Sequence, residues 1–142
     1  MNDVLSNYPT VISLPVNWGD MDALRHVNNS VYFRYFESAR LAFLESIECW
    51  PSLRAAGVGP VLASTSARYK LPLTYPDTID VGARISTLGD DRFEMRYAVY
   101  SHQHRRIATE GKALVVTVNR ADGRKTPLPA PFKAALQELI TE

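Results

Sequence analysis

The chain has 142 residues, of which 46% are hydrophobic and 22% charged, and this composition suits one soluble domain with its own core. Its formal net charge is only +1, so no strong overall field favours nucleic acid or an acidic partner. The single cysteine, Cys49, excludes an internal disulfide and fits a reducing compartment. Residues 1–10 lack a signal peptide's basic start and apolar run, and no stretch is apolar for long enough to span a membrane. We therefore expect one cytoplasmic domain over residues 1–142, with neither nucleic-acid nor membrane partners.

The pattern of apolar residues predicts one strand, then a helix, then four more strands. The first strand covers Val11–Trp18, and the helix ends near Trp50 because Pro51 follows. Turn residues separate four later strands, which cover Val61–Lys70, Thr78–Leu88, Arg92–Ser101 and Ile107–Asn119. A short C-terminal helix is predicted at Phe132–Ile140. One helix against an antiparallel sheet of about five strands is an α+β fold, and its uncovered edges and second face predict dimerisation or higher assembly.

The predicted helix carries a mainly aromatic stripe at offsets of three and four residues, so we expect it to be buried against the sheet. The stripe consists of Tyr32, Tyr35, Phe36, Ala39, Phe43 and Ile47. Asn28, Asn29 or Ser30 is expected to supply the N-cap oxygen.

A dense polar turn lies between the first strand and this helix. It contains two carboxylates, one histidine and two asparagines: Asp20, Asp22, His26, Asn28 and Asn29. Each residue alone has an ordinary explanation as a solvated loop residue, a structural histidine or a helix cap. A carboxylate beside a helix N-terminus can perform acid–base or nucleophilic chemistry, and free backbone N–H groups there can hold a developing negative charge. The density of the cluster favours a catalytic site.

Other polar residues have simpler interpretations. Glu37 is expected to be a surface residue paired with Arg34 or Arg40 at helical spacing. The pair His102 and His104 lacks a third ligand of suitable spacing, so no metal site is predicted and the segment is interpreted as a hairpin tip. The chain contains neither a glycine-rich phosphate loop nor a Gly-x-Ser-x-Gly nucleophile elbow.

The polar turn and helix resemble the opening motif of the hotdog-fold acyl-CoA thioesterases of the 4-hydroxybenzoyl-CoA thioesterase family. The matching residues are Asp20-x-Asp22, His26-Val27-Asn28-Asn29, Tyr32 and Glu37-Ser38-Ala39-Arg40. Weaker similarity extends over nearly the whole chain, through Tyr69–Leu73, Tyr75–Asp77, Ala108–Ala113 and Asn119–Lys125. The resemblance implies a long central helix wrapped by an antiparallel sheet, paired into a homodimer with a continuous sheet and often into a homotetramer.

The resemblance also implies roles for particular residues. In one branch of the family, the second aspartate, here Asp22, acts on the thioester as nucleophile or general base. A backbone amide at the helix N-terminus, here that of Asn29, polarises the carbonyl, and His26 is a supporting catalytic candidate. That branch often has glycine where this chain has Arg25. Substrate-binding candidates are Asn28, Tyr32, Gly59 and Arg68.

A missing glutamate favours the branch that uses Asp22, whereas the turn before the fourth strand leaves the carrier open. In another branch a glutamate acts with a glycine that Gly59 resembles, but Ser66 or Ala67 stands where that glutamate is expected. Some relatives bind coenzyme A phosphates with basic residues at the turn before the fourth strand, whereas this chain has Asp90 and Asp91 there. The carrier is coenzyme A or acyl carrier protein, no cofactor is expected, and the candidate phosphate ligands are Arg68, Lys70, Arg105, Arg106, Arg124 and Lys125.

Two rival functions are weighed against thioester hydrolysis. Gly19 to His26 superficially resembles the Gly-Asp-x-Asn-Pro-x-His motif of hotdog hydratases, but the Asn-Pro pair is missing and the spacing is one residue longer. The other rival is a non-catalytic protein that binds acyl thioesters.

Overall fold

The computed structural model describes residues 3–140, in which five strands form one antiparallel sheet. The strands are β1 (Thr10–Pro15), β2 (Val58–Tyr69), β3 (Thr78–Leu88), β4 (Arg92–Ser101) and β5 (Arg106–Asn119). Their order across the sheet is β1-β3-β4-β5-β2, and each neighbouring pair is antiparallel, so β1 and β2 are the edges. The ends of the predicted domain, residues 1–2 and 141–142, lie outside the described part.

Three α-helices accompany the sheet: α1 (Val31–Glu45), α2 (Pro51–Ala55) and α3 (Ala130–Glu138). The sheet and α1 confirm the predicted α+β class. Helix α1 has 15 residues, which is about 22 Å, and its buried residues face the sheet. Within residues 3–140, no helix is both long and apolar enough to cross a membrane.

The aromatic stripe of α1 packs closely on the centre of the sheet. Phe36 is 1% exposed and stacks on Tyr97 of β4 with ring centroids 4.9 Å apart. Gly111 of β5 lies beneath Phe36, and a Cβ atom there would come within 2.4 Å of the Phe36 ring. Arg40 donates a hydrogen bond of 3.0 Å to the Tyr97 hydroxyl. The absence of a side chain at Gly111 therefore allows the helix to pack this closely on the sheet.

Strand β4 shows the predicted alternation of side chains. Phe93, Met95, Tyr97 and Val99 are buried beneath the helices, whereas Arg96 between them is exposed on the opposite face. An N-terminal segment covers part of that opposite face, because Tyr8 packs against Gly82 of β3.

Several predicted boundaries differ from the structure. Strand β1 ends at Pro15, not at Trp18, and Trp18–Asp20 form a short 3₁₀ turn, since proline removes a donor from the ladder. Helix α1 ends at Glu45, and Pro51 begins α2, where its missing N–H costs nothing.

Three further boundaries are displaced by two or three residues. Strand β2 begins at Val58, not at Val61, because Gly57 makes the preceding turn at a φ of 74°. The C-terminal helix begins at Ala130 and ends at Glu138, with Pro131 in its first turn.

Candidate active site

The polar turn folds as a tight loop that carries Asp22 at its start. The Asp22 N–H donates to the His26 carbonyl over 2.9 Å, and the Arg25 N–H donates to the Asp22 carbonyl over 2.9 Å. Arg25 has a left-handed φ of 64°, which usually favours glycine and costs a side-chain-bearing residue roughly 1–2 kcal/mol. The loop therefore contains a backbone turn that usually favours glycine, although an arginine occupies the position.

Backbone hydrogen bonds attach this loop to the rest of the domain. The Val27 N–H donates to the Leu73 carbonyl over 2.9 Å, and the Asn28 N–H donates to the Asp20 carbonyl over 3.0 Å. The Asp20 carboxylate lies 3.5 Å from the guanidinium of Arg34 on α1. Asp20 thus ties the loop to the helix, while Asp22 projects from the loop.

The Asp22 carboxylate is solvent-exposed and is held by two donors. One oxygen accepts the Leu24 N–H over 2.9 Å, and the other lies 3.5 Å from the side-chain amide nitrogen of Asn28. The Asn28 side-chain oxygen in turn accepts the Ser30 N–H over 2.9 Å and the Ser30 hydroxyl over 2.7 Å. Asn28 therefore links the carboxylate to the beginning of α1.

The backbone N–H of Asn29 stands apart from its neighbours. The preceding N–H, of Asn28, is bonded to Asp20, and those of Ser30 and Val31 are bonded to the oxygens of Asn28. Among residues 3–140, no acceptor receives the Asn29 N–H. The Asn29 carbonyl is held from the other side, since it accepts the Tyr69 hydroxyl over 2.8 Å. A fixed, unused donor at the start of a helix can stabilise a negative charge.

A cavity of about 460 Å³ joins these groups. It is lined by the predicted residues Asp22, His26, Asn28, Asn29 and Tyr32 and also by Leu24, Val27, Tyr69, Lys70, Leu71 and Pro72. Its size is that of a small-molecule site, and it combines one carboxylate, one imidazole and one free backbone donor. The structure thus brings together every residue that the sequence proposed for catalysis.

Two tyrosines form the wall behind the cavity. The Tyr32 and Tyr69 rings meet edge to face with centroids 5.0 Å apart, and the Tyr32 hydroxyl accepts the Leu73 N–H over 3.2 Å. Burial raises the pKa of both phenols above its usual value. Both hydroxyls therefore stay protonated near neutral pH and remain able to donate hydrogen bonds.

Comparison with known proteins identifies the family of this chain. A family model described as the thioesterase-like superfamily matches residues 16–136. The chain belongs to the thioesterase-like superfamily. An inferred esterase from Aquifex aeolicus is 34% identical over 93 residues, which are 65% of this chain and 73% of that protein. Membership in the superfamily supports thioester hydrolysis as the general reaction.

Solved structures share the whole fold of this thioesterase-like chain. A Pseudomonas aeruginosa protein superimposes with a TM-score of 0.84 at 25% identity, covering 97% of this chain and 96% of its own. A Thermus thermophilus thioesterase, crystallised with coenzyme A and zinc, has a TM-score of 0.79 at 28% identity, covering 93% and 94%. A Staphylococcus aureus DHNA-CoA thioesterase, at 15% identity and covering 91% and 89%, has a TM-score of 0.83 and shows the fold alone.

Two predicted substrate-binding residues of the thioesterase-like chain lie outside the cavity. Gly59 is at the start of β2, ten residues or about 33 Å along the strand from Tyr69, and it contacts Arg120. Arg68 lines a second cavity, on the opposite face of the sheet. Within one chain, neither residue reaches Asp22.

Tyr69 and Lys70 also line the cavity, although Tyr69 was given no role from the sequence and Lys70 was predicted only as a candidate phosphate ligand. Both lie in a segment with weak similarity to the family, but its residue pattern does not predict a hydrogen bond from Tyr69 to the start of α1. Such a contact joins residues 40 positions apart and depends on how the sheet curves over the helix.

The expected pairing of Glu37 is not found. Arg34 pairs with Asp20, and Arg40 binds Tyr97, so Glu37 has neither expected partner in the described structure. The turn at His102 is the predicted hairpin tip, and its imidazole lies 2.9 Å from the Asp80 carboxylate. Within the described part of the chain, no three histidine, cysteine or acidic side chains gather as metal ligands would.

Proposed function

We propose that this protein hydrolyses an acyl thioester to the free acid and the thiol, with Asp22 as the reacting carboxylate. The proposal places the thioester carbonyl carbon at Asp22 and its oxygen at the Asn29 N–H. His26 is a supporting catalytic group, and Asn28 and Tyr32 shape the substrate cavity. In this proposal the hotdog arrangement of the family, in which the sheet wraps around the helix, positions these residues.

The observation that carries the proposal is the unused N–H of Asn29, a residue that lines the same cavity as Asp22. Thioester cleavage builds negative charge on the carbonyl oxygen, and a fixed backbone donor at a helix N-terminus stabilises that charge without reorganisation. The N–H groups of Asn28, Ser30 and Val31 are already bonded, whereas the Asn29 N–H is free for this role.

Two routes fit Asp22, and both balance. As a general base, Asp22 takes a proton from water, the resulting hydroxide attacks the carbonyl carbon, and the thiolate leaves and regains that proton. As a nucleophile, Asp22 forms an acyl anhydride and expels the thiolate; water then cleaves the anhydride to the free acid and the Asp22 carboxylate, and the thiolate takes the proton that this step releases. Trapping the anhydride in a single turnover with excess enzyme distinguishes the nucleophilic route from the general-base route.

The test measures thiol release from aryl and aliphatic acyl thioesters by wild type and Asp22→Asn. We expect at least a 100-fold lower kcat for Asp22→Asn, since a positioned acid–base group typically contributes about 10²–10⁴-fold. Glu37→Gln is the matched control, because it neutralises another exposed carboxylate and should leave the rate unchanged. Full activity in Asp22→Asn, or loss in Glu37→Gln alone, would contradict the assignment of Asp22.

The same experiment separates the two rival functions. Hydration of an enoyl thioester without thiol release would identify a hydratase. Tight acyl-thioester binding with no turnover in wild type, unchanged in Asp22→Asn, would identify a binding protein.

We further propose coenzyme A as the carrier and a homodimer as the working unit. The Thermus thermophilus relative crystallised with coenzyme A supports the carrier. Edge strand β2 supports the dimer: it has six consecutive exposed residues, 61–66, and Val61 and Leu62 are 46% and 43% exposed. An exposed edge strand of this length, apolar at Val61 and Leu62, favours pairing with another strand.

An antiparallel β2–β2 pairing about Ser64 would also explain how Gly59, which lies far from the cavity of its own chain, could contribute to substrate binding. It sets Gly59 of the partner subunit opposite Tyr69, beside the candidate active site. Sedimentation analysis should show a dimer for wild type, and Leu62→Lys should shift it towards monomer because a charge enters an apolar edge. A monomeric wild type would contradict this pairing, whereas a tetramer would place a further interface on top of it.

A further inference from the structure

A concentration of positive charge lies on the sheet face opposite α1. Arg96 of β4 stands directly across from Lys112 of β5, and Arg68 of β2 stands across from Glu110, two residues before Lys112. All three cations line a cavity of about 360 Å³. They point away from α1, because Tyr97 and Gly111, their neighbours in sequence, face Phe36. We call Arg68, Arg96 and Lys112 the outer basic cluster.

The charge of this cluster is only partly compensated. Arg96 contacts Glu94 over 3.1 Å, but neither Arg68 nor Lys112 has an ion pair among the described residues. The lining carboxylate, Glu110, is already paired with Lys70 over 2.8 Å. Like charges directly opposite each other disfavour strand pairing, so sheet formation alone does not explain Arg96 beside Lys112. The arrangement suits an anionic ligand.

The outer basic cluster adjoins the candidate active site. Lys70 lines the Asp22 cavity and Glu110 lines the outer cavity, so their ion pair marks the boundary between the two. Arg68 lies two residues before Lys70, which is about 7 Å along the chain. A ligand with a flexible arm can therefore have one end at Asp22 and its charged end at the cluster.

We propose that the outer basic cluster binds the phosphate groups of the coenzyme A nucleotide while the thioester lies at Asp22. This inference rests on the proposed thioester hydrolysis. Arginine forks bind phosphate oxygens through two hydrogen bonds, and a cavity of this size fits a small molecule. The alternative turn before β4 is unsuitable, since Asp91 contacts Arg92 over 2.8 Å and Asp90 contacts Lys133 over 2.8 Å.

Steady-state kinetics on the doubly substituted Arg68→Ala/Lys112→Ala protein test the cluster. One acyl group is presented on coenzyme A, on 3′-dephospho-coenzyme A and on pantetheine. We expect the KM for acyl-coenzyme A to rise at least about tenfold with kcat unchanged, a smaller rise for the dephospho substrate, and no change for acyl-pantetheine. The double variant Arg54→Ala/Lys133→Ala removes two cations away from both cavities and should leave all three KM values unchanged.

Calorimetric binding of coenzyme A itself provides a readout that does not need turnover. Weaker binding in Arg68→Ala/Lys112→Ala but not in the control supports the cluster even if no tested thioester is hydrolysed, an outcome that would contradict only the proposed function. Unchanged KM and binding, with hydrolysis still lost in Asp22→Asn, would overturn the cluster and leave the proposed function intact. A KM increase confined to an acyl-carrier-protein substrate would also overturn it.

Discussion

The centre of the sheet is buried and closely packed, whereas the Asp22 loop is exposed and polar. Beneath α1, Phe36, Tyr97 and Gly111 pack so closely that one added methyl group would clash. In the loop, Asp22 and Arg25 are exposed, one residue holds an unfavourable φ, and a backbone donor is left unused. The packed region fixes the position of α1, and the loop holds Asp22 and the unused Asn29 N–H at the start of that helix.

The two regions contribute differently to the stability of the fold. The core stabilises the fold through burial and close contacts, whereas the loop contains a strained φ at Arg25 and an unsatisfied N–H at Asn29, which both reduce stability. A polar site of this kind persists only when the surrounding structure over-determines it. Substitutions in the core should therefore change stability, and those in the loop should change activity.

The largest effect is expected from Gly111→Ala. The new Cβ atom would come within 2.4 Å of the Phe36 ring, so helix and sheet must separate, and overpacking of this kind costs about 1–3 kcal/mol. Chemical denaturation should show a lower free energy of unfolding for the variant. Adding Phe36→Leu should restore part of it, and a simple sum of the two losses would speak against the contact.

Asn28→Ala and Asn29→Ala should separate a side-chain role from a backbone role. Asn28→Ala removes the acceptor for Ser30 and the amide near Asp22, so we expect about 1 kcal/mol less stability and about tenfold lower kcat. Asn29→Ala keeps the backbone N–H and should retain most activity. Equal losses in the two variants would show that the Asn29 side chain takes part.

Tyr69→Phe tests how firmly the helix start is held. The variant keeps the ring against Tyr32 but removes the hydrogen bond to the Asn29 carbonyl, which is worth about 1 kcal/mol. We expect a kcat lower by up to about fivefold with an unchanged KM. A change in KM alone would indicate that Tyr69 contacts the substrate instead.

Arg25→Gly should have the smallest effect, and a favourable one. Glycine relieves the left-handed strain but adds entropy to the unfolded chain, so we expect a net gain of about 0.5 kcal/mol or less. Thermal unfolding measures this difference. A clear loss of stability would show that the arginine side chain makes a contribution larger than the strain.

Much of the fold was predictable because its signals are local. The alternation in β4, the aromatic stripe of α1 and the turn at Gly89 were each visible within about ten residues, and the structure confirms them. Some of the boundary errors came from proline, since Pro51 was interpreted only as a helix terminator. In the structure Pro51 begins α2, and only the surrounding fold decides between these roles.

The candidate site was predictable in its residues but not in its surroundings. Asp22, His26 and Asn29 lie in one short segment, so their proximity follows from sequence alone. The hydrogen bond from Tyr69 and the closeness of Lys70 depend on contacts between residues about 40 or more positions apart. The same limit applies to the outer basic cluster, because Arg96 and Lys112 meet only through strand register.

The hydroxyl of Tyr69 has a consequence for how assembly and catalysis are connected. It joins the last residue of edge strand β2 to the carbonyl of Asn29, so one side chain separates the open edge from the start of the helix. If a second subunit pairs with β2, its departure should loosen the proposed oxyanion donor, the Asn29 N–H. Specific activity should then fall when the enzyme is diluted below the concentration at which its subunits separate.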